Sequence, residues 1–92
     1  MKKIKENIDL KELEKYGYEE KNGTYVKYTY YTYYSYRIVI SVSMFTRIIK
    51  KCYAWTYMMG PIIEQPIIRN GKPSKPDKYI KDLIKAGYVE EI

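Results

Sequence analysis

The chain has 92 residues, enough for one core and too few for two, and folding should bury about two thirds of the surface that the unfolded chain exposes. It contains no histidine and one cysteine, Cys52. That excludes an intrachain disulfide, a Cys/His zinc site and any nucleophile that relies on a histidine base. Seventeen Lys and Arg against eleven Asp and Glu leave a net charge of +6, which favours acidic partners over basic ones.

The position of that charge is more informative than its size. Residues 1–23 carry six basic and six acidic groups, and residues 74–92 carry four of each. The whole surplus therefore lies in residues 24–73, where seven basic groups face only Glu64. The same stretch holds most of the thirteen tyrosines together with Phe45 and Trp55. A basic, aromatic block sits between two neutral ends.

In chain order, Met1–Asn7 is basic but lacks the apolar stretch of a signal peptide. No run of eighteen apolar residues is present to span a membrane. A lone thiol with no export signal points to a reducing cytosol. Asp9 precedes Glu12 by the three residues of a capping box, with Ile8 and Leu13 at the staple positions, and Gly17 follows as a left-handed stop. This predicts a helix over 9–16.

Asn22-Gly23 between Tyr18–Lys21 and Thr24–Tyr30 is a two-residue hairpin signal. Tyr36, Ile38, Ile40, Val42 and Met44 then alternate with Arg37, Ser41 and Ser43, as on a strand with one apolar face. Arg47–Tyr57 reads as a further strand, its odd positions inward from Ile49 onward. Pro61, Pro66 and Pro73 forbid a central strand or a helix over 60–73. That stretch is either a connection tucking its isoleucines under the sheet edge, with a short edge strand at Ile67–Arg69, or an apolar arm that grips a partner.

The last helix is expected to start near Ser74-Lys75-Pro76-Asp77, to bury Ile80, Leu83 and Ile84, and to stop at Gly87, with a strand at Tyr88–Glu91. A shift of seventy residues aligns Leu10–Tyr18 with Ile80–Tyr88, either by duplication or because both are short amphipathic helices closed by Gly and an aromatic. The expected architecture is one α+β domain, residues 1–92: a three- or four-stranded, mostly antiparallel sheet flanked by a short N-terminal and a C-terminal helix. Both helices should cover one sheet face and leave the other open.

Catalytic groups are scarce. Glu19-Glu20 and Glu90-Glu91 are carboxylate pairs, but adjacent strand residues point to opposite faces. Cys52, beside Lys50 and Lys51, is either an activated thiol or a small buried hydrophobe. The expectation is a protein that is not an enzyme, with no catalytic or metal-ligating residues and no cofactor.

The tyrosine run from Tyr25 to Tyr36 is the most unusual feature. If Val26 faces the core, Tyr25, Lys27, Thr29, Tyr31 and Tyr33 share the outer face, and Arg37 joins them from the next strand. The candidate partner-binding residues are Tyr25, Lys27, Tyr31, Tyr33, Arg37, Arg47, Lys50 and Lys51. Rings beside cations suit single-stranded nucleic acid by stacking and phosphate neutralisation. They equally suit a protein contact, where tyrosine and arginine dominate binding energy. A purely structural use, tyrosine as a favoured strand residue, stays open beside both.

Ile8-Asp9-Leu10-Lys11-Glu12-Leu13-Glu14-Lys15-Tyr16-Gly17-Tyr18, the Tyr-rich strands after it, and Tyr79–Glu91 together resemble small orphan proteins of phages and prophages of low-GC bacteria. The likeness covers the whole chain in style and has no diagnostic motif. It implies a single non-catalytic domain acting in the cytoplasm of a bacterial host. It further implies an anti-defence role of the anti-CRISPR kind, with an immune effector protein or ribonucleoprotein as partner. A basic chain departs from the acidic inhibitors that mimic DNA. The alternatives are a binder of RNA or single-stranded DNA and a sponge for small signalling nucleotides. No membrane partner is expected, and the tyrosine face or the 61–68 arm is able to seal a homodimer.

Overall fold

The structure is a computed structural model that describes residues 1–31, 37–56 and 62–92. Strand β1 (Lys2–Ile4) leads into a 3-10 helix (Leu10–Tyr16). Strands β2 (Glu19–Lys21), β3 (Thr24–Tyr31), β4 (Arg37–Ser43), β5 (Ile49–Thr56) and β6 (Ile62–Pro66) follow, paired in that order into one antiparallel sheet. A two-stranded hairpin, β7 (Ile68–Arg69) with β8 (Lys72–Pro73), comes next. A 3-10 turn (Asp77–Tyr79) and helix α1 (Lys81–Lys85) then lead to β9 (Val89–Glu91), which returns to pair with β1. The α+β class is as expected, with five strands in the main sheet rather than three or four.

The fifth strand is β6, and its place explains how proline is accommodated. It pairs only with β5, so Pro66 needs no N–H on its outer side. Ile68–Arg69 pairs with the hairpin partner Lys72–Pro73 rather than with the sheet. Of the isoleucines beside it, Ile67 is buried and Ile68 is exposed. The β2–β3 turn is built as predicted, with Asn22 at φ 49° and Gly23 at φ 79°.

Both helical segments close on the same device. Gly17, at φ 89°, donates its N–H to the Glu14 carbonyl (3.2 Å), and Tyr18 donates to that of Leu13 (3.2 Å). Gly87, at φ 76°, donates to Ile84 (3.0 Å), and Tyr88 to Leu83 (3.1 Å). The Tyr16 and Tyr88 rings then meet edge to face, 5.7 Å between centroids. The first segment is a 3-10 rather than an α-helix. Asp9 caps it by accepting from Lys11 N–H (3.0 Å), and Glu12 N–H returns three residues to the Asp9 carbonyl (2.9 Å). Glu12 itself pairs with Lys15 instead of reaching back to the cap.

The second segment also starts later than predicted. Ser74 is no N-cap, because its N–H bonds the Ile67 carbonyl (2.8 Å) and its hydroxyl accepts from Lys51 (3.4 Å). Ile80 and Leu83 are fully buried, while Ile84 faces outward. No helix among the described residues is long and apolar enough to cross a membrane.

The main core lies between these helices and one sheet face. Leu13, Ile80 and Leu83 pack with Tyr18, Tyr25, Ile38, Ile40, Val42 and Ile49, and Ile4 of β1 joins them. β1 is too short to show alternation in the sequence. Charge at the chain ends reinforces its pairing. Lys2 bridges Asp77 (2.8 Å) and Glu91 (2.6 Å), and holds both carboxyls below their usual pKa.

Replacing Gly17 with alanine forces an L-residue into the left-handed region, while the new Cβ meets only the flexible Lys27 chain at 3.5 Å. The expected loss is therefore the backbone cost, about 1 kcal/mol, seen in urea as a lower midpoint with an unchanged slope. The carboxyls of Asp77 and Glu91 are depressed when folded, so their contribution is complete above ordinary carboxylate pKa values and lost as pH falls through the folded ones. Urea midpoints measured from pH 6 to pH 3 are expected to fall, and Asp77→Asn to flatten that fall.

Candidate functional site

The strand registers assign each side chain to a face. Tyr25 lies opposite Val42, Lys27 opposite Ile40, and Ile40 opposite Lys51, all on the face that carries the helices. Val26 lies opposite Ser41, Tyr28 opposite Val39, Arg37 opposite Ala54, and Ser41 opposite Lys50, all on the other face. That second face has its own buried cluster, Val26, Val39 and Ala54 with Tyr28 against it, and no described helix residue joins it. The sheet thus buries apolar side chains on both sides.

The eight candidate residues do not share one surface. Tyr25 is a correction: it is 3% exposed within the main core, where burial pushes its hydroxyl pKa up. Val26 does face a core, but it is the lesser one. The helices took the opposite side because Tyr25, in register with Val42, offers them the larger apolar surface.

Lys27 is also on the covered face. Its ammonium lies 3.7 Å from Asp82 of α1 and 5.6 Å from the centre of the Tyr18 ring. Lys51 reaches Ser74 and sits 5.2 Å from the Tyr79 ring centre. Arg47 lies in the β4–β5 turn at φ 64°, where Ser43 Oγ accepts from the N–H groups of Phe45 and Thr46. Its guanidinium donates to the carbonyls of Lys5 (2.8 Å) and Ile8 (2.6 Å) and lies 3.4 Å from Glu6. These three cations fasten peripheral segments to the sheet, so they leave the docking set.

Arg37 and Lys50 are exposed on the face opposite the helices, so Arg37 does not join Tyr25 and Lys27 as expected. A register shift between Tyr28 and Tyr31 sets Tyr31 opposite Arg37. Tyr33 lies outside the described residues. Cys52, opposite Val39, is buried at 4%, in keeping with a small hydrophobe rather than an accessible thiol.

The sequence reading missed Lys21. It extends over the Tyr28 ring at 4.9 Å, with its ammonium 3.4 Å from the phenol oxygen. Glu19, exposed on β2 opposite Val26, is the acid nearest to them in register. The available signal was the unbroken apolar run Ile38-Val39-Ile40 with small Cys52 and Ala54 across from it, a pattern of burial on both faces. Among the described residues, no three His, Cys, Asp or Glu groups come together to hold a metal. No protein-family model, curated protein or solved structure matches the chain.

Arg47→Lys removes a guanidinium whose Nη1 donates to two carbonyls, from a side chain that is 18% exposed. Charged hydrogen bonds of this kind contribute about 1.5–3 kcal/mol each, and lysine retains part of one. The expected destabilisation is about 2 kcal/mol, read by urea unfolding, with faster amide exchange at Ile4 and Ile8 as the local signature.

Proposed function

We propose that the chain is a non-enzymatic binding protein of the phage anti-defence kind. It docks the sheet face opposite the helices on the anionic surface of a bacterial immune effector ribonucleoprotein and so blocks nucleic-acid access. The observation that carries this reading is the asymmetry of the sheet. Helices occupy one face, and the other carries exposed Lys21, Arg37 and Lys50 around a buried apolar group, Val26, Val39 and Ala54. Three exposed cations on one sheet face, one of them beside the Tyr28 ring, give that face the charge for an RNA-laden partner. The resemblance of both chain ends to phage proteins supplies the partner class, and the host cytoplasm is where such a partner is met.

The test is co-purification with tagged CRISPR effector complexes assembled on guide RNA. Stable co-elution is expected, and Arg37→Glu with Lys50→Glu should weaken it by about tenfold or more while leaving the circular dichroism and melting temperature unchanged. Absence of a complex with every effector tried overturns the proposal. Tight binding of free oligonucleotide instead, with a salt slope near about 0.7 per phosphate contacted, replaces it with direct single-strand binding.

A further inference from the structure

Strand β5 has its outer neighbour along only part of its length. β6 pairs with Cys52–Thr56 and ends at Pro66. From there the chain leaves the sheet between two anchoring bonds: Ile67 N–H to the Lys51 carbonyl (3.0 Å) and Ser74 N–H to the Ile67 carbonyl (2.8 Å). Between those anchors hangs the β7–β8 hairpin, turned by Asn70 (φ 51°) and Gly71 (φ 73°). The start of β5, the root of this hairpin and the β1–Asp77 corner together wall a cavity of about 530 Å³.

Its lining divides by chemistry. Ile49, Ile67 and Pro76 are buried and give it an apolar wall. Lys50, Lys72 and Lys75 line it too and are exposed, with Lys50, in register with Ser41, leaving β5 on the side opposite Ile49. Lys51 is half-buried beside Ser74. The lining carboxylates are Asp77 and Glu91, and both are bound to Lys2. Five lining lysines less two carboxylates leave a surplus of three positive charges, away from the Lys2 corner.

An apolar wall alone would select hydrocarbon, and a lysine patch alone would attract any polyanion. Their combination selects a small anion with an apolar body. The surplus matches a dianion better than a monocarboxylate, and lysine serves phosphate well as a point charge. The volume falls within the roughly 300–1,000 Å³ of small-molecule sites. We infer that this cavity binds an organic phosphate of nucleoside-monophosphate size, with its phosphate between Lys72 and Lys75 and its ring against Ile49 and Ile67. The site stands apart from the docking face and shares only Lys50 with it.

The test is an amide NMR titration of the full chain at low salt with three probes: adenosine monophosphate, adenosine and inorganic phosphate. The nucleotide should shift the amides of Ile49, Lys51, Ile67, Lys72 and Ser74 along one saturable one-to-one curve. Adenosine and phosphate should each bind about tenfold more weakly or worse. Lys72→Glu with Lys75→Glu alters only exposed side chains and should weaken the nucleotide by about tenfold, whereas Arg37→Glu should leave it unchanged. No saturable shift, shifts confined to other segments, or an undiminished affinity in the double variant each overturns the inference. Phosphate binding as tightly as the nucleotide does so as well, because the apolar wall would then contribute nothing.

Discussion

Two identical helix stops decide how the rest of this protein is arranged. Segments of seven and five residues are far too short to hold a helix in water by themselves. They persist because Gly17 and Gly87 turn the chain so that Tyr18 and Tyr88 bond back to Leu13 and Leu83. Both leucines are then driven, fully buried, onto the Tyr25–Ile40–Val42 side of the sheet. The Tyr16–Tyr88 edge contact ties one stop to the other.

Charge follows from the same arrangement. The neutral chain ends and the cationic middle are separate in sequence but interleaved in space. Lys27 meets Asp82, Arg47 meets Glu6 and two carbonyls, and Lys51 meets Ser74 and the Tyr79 ring. A half-exposed pair such as Lys27–Asp82 adds little stability in water. Arg47 differs, because its Nη1 donates to two backbone carbonyls while its Nε faces Glu6, which holds the chain before the first helix in one position. Exposed cations include Lys21, Arg37 and Lys50 on the face opposite the helices, and Lys72 and Lys75 along the cavity.

The tyrosines show why composition alone misplaces a surface. A phenol ring is large enough to anchor a core and polar enough to border water, so its abundance does not reveal which role each one takes. Tyr18 and Tyr25 are core residues, Tyr28 lies under a lysine on the opposite face, and Tyr79 sits beneath two lysines. The alternation of β3 was legible. Which of its two faces would meet the helices was not, because Tyr25 and Val26 are both acceptable to a core and both are buried. The bulge between Tyr28 and Tyr31 then changes the parity at the far end of the strand.

Local signals were sufficient where the physics is local. Asn22-Gly23, Gly17 and Gly87 announce their turns because few residues tolerate positive φ, and the Ile38–Val42 alternation announces a strand with a buried side. The sequence by itself therefore determined the turns, the helix stops, the antiparallel class and the total charge. Only the tertiary structure decided the covered face, the service of Arg47, Lys27 and Lys51 as fasteners, and the cavity built from four separate stretches of chain. Each of these depends on which surfaces meet across many residues, and surface matching is a property of the assembled pair that neither segment carries alone.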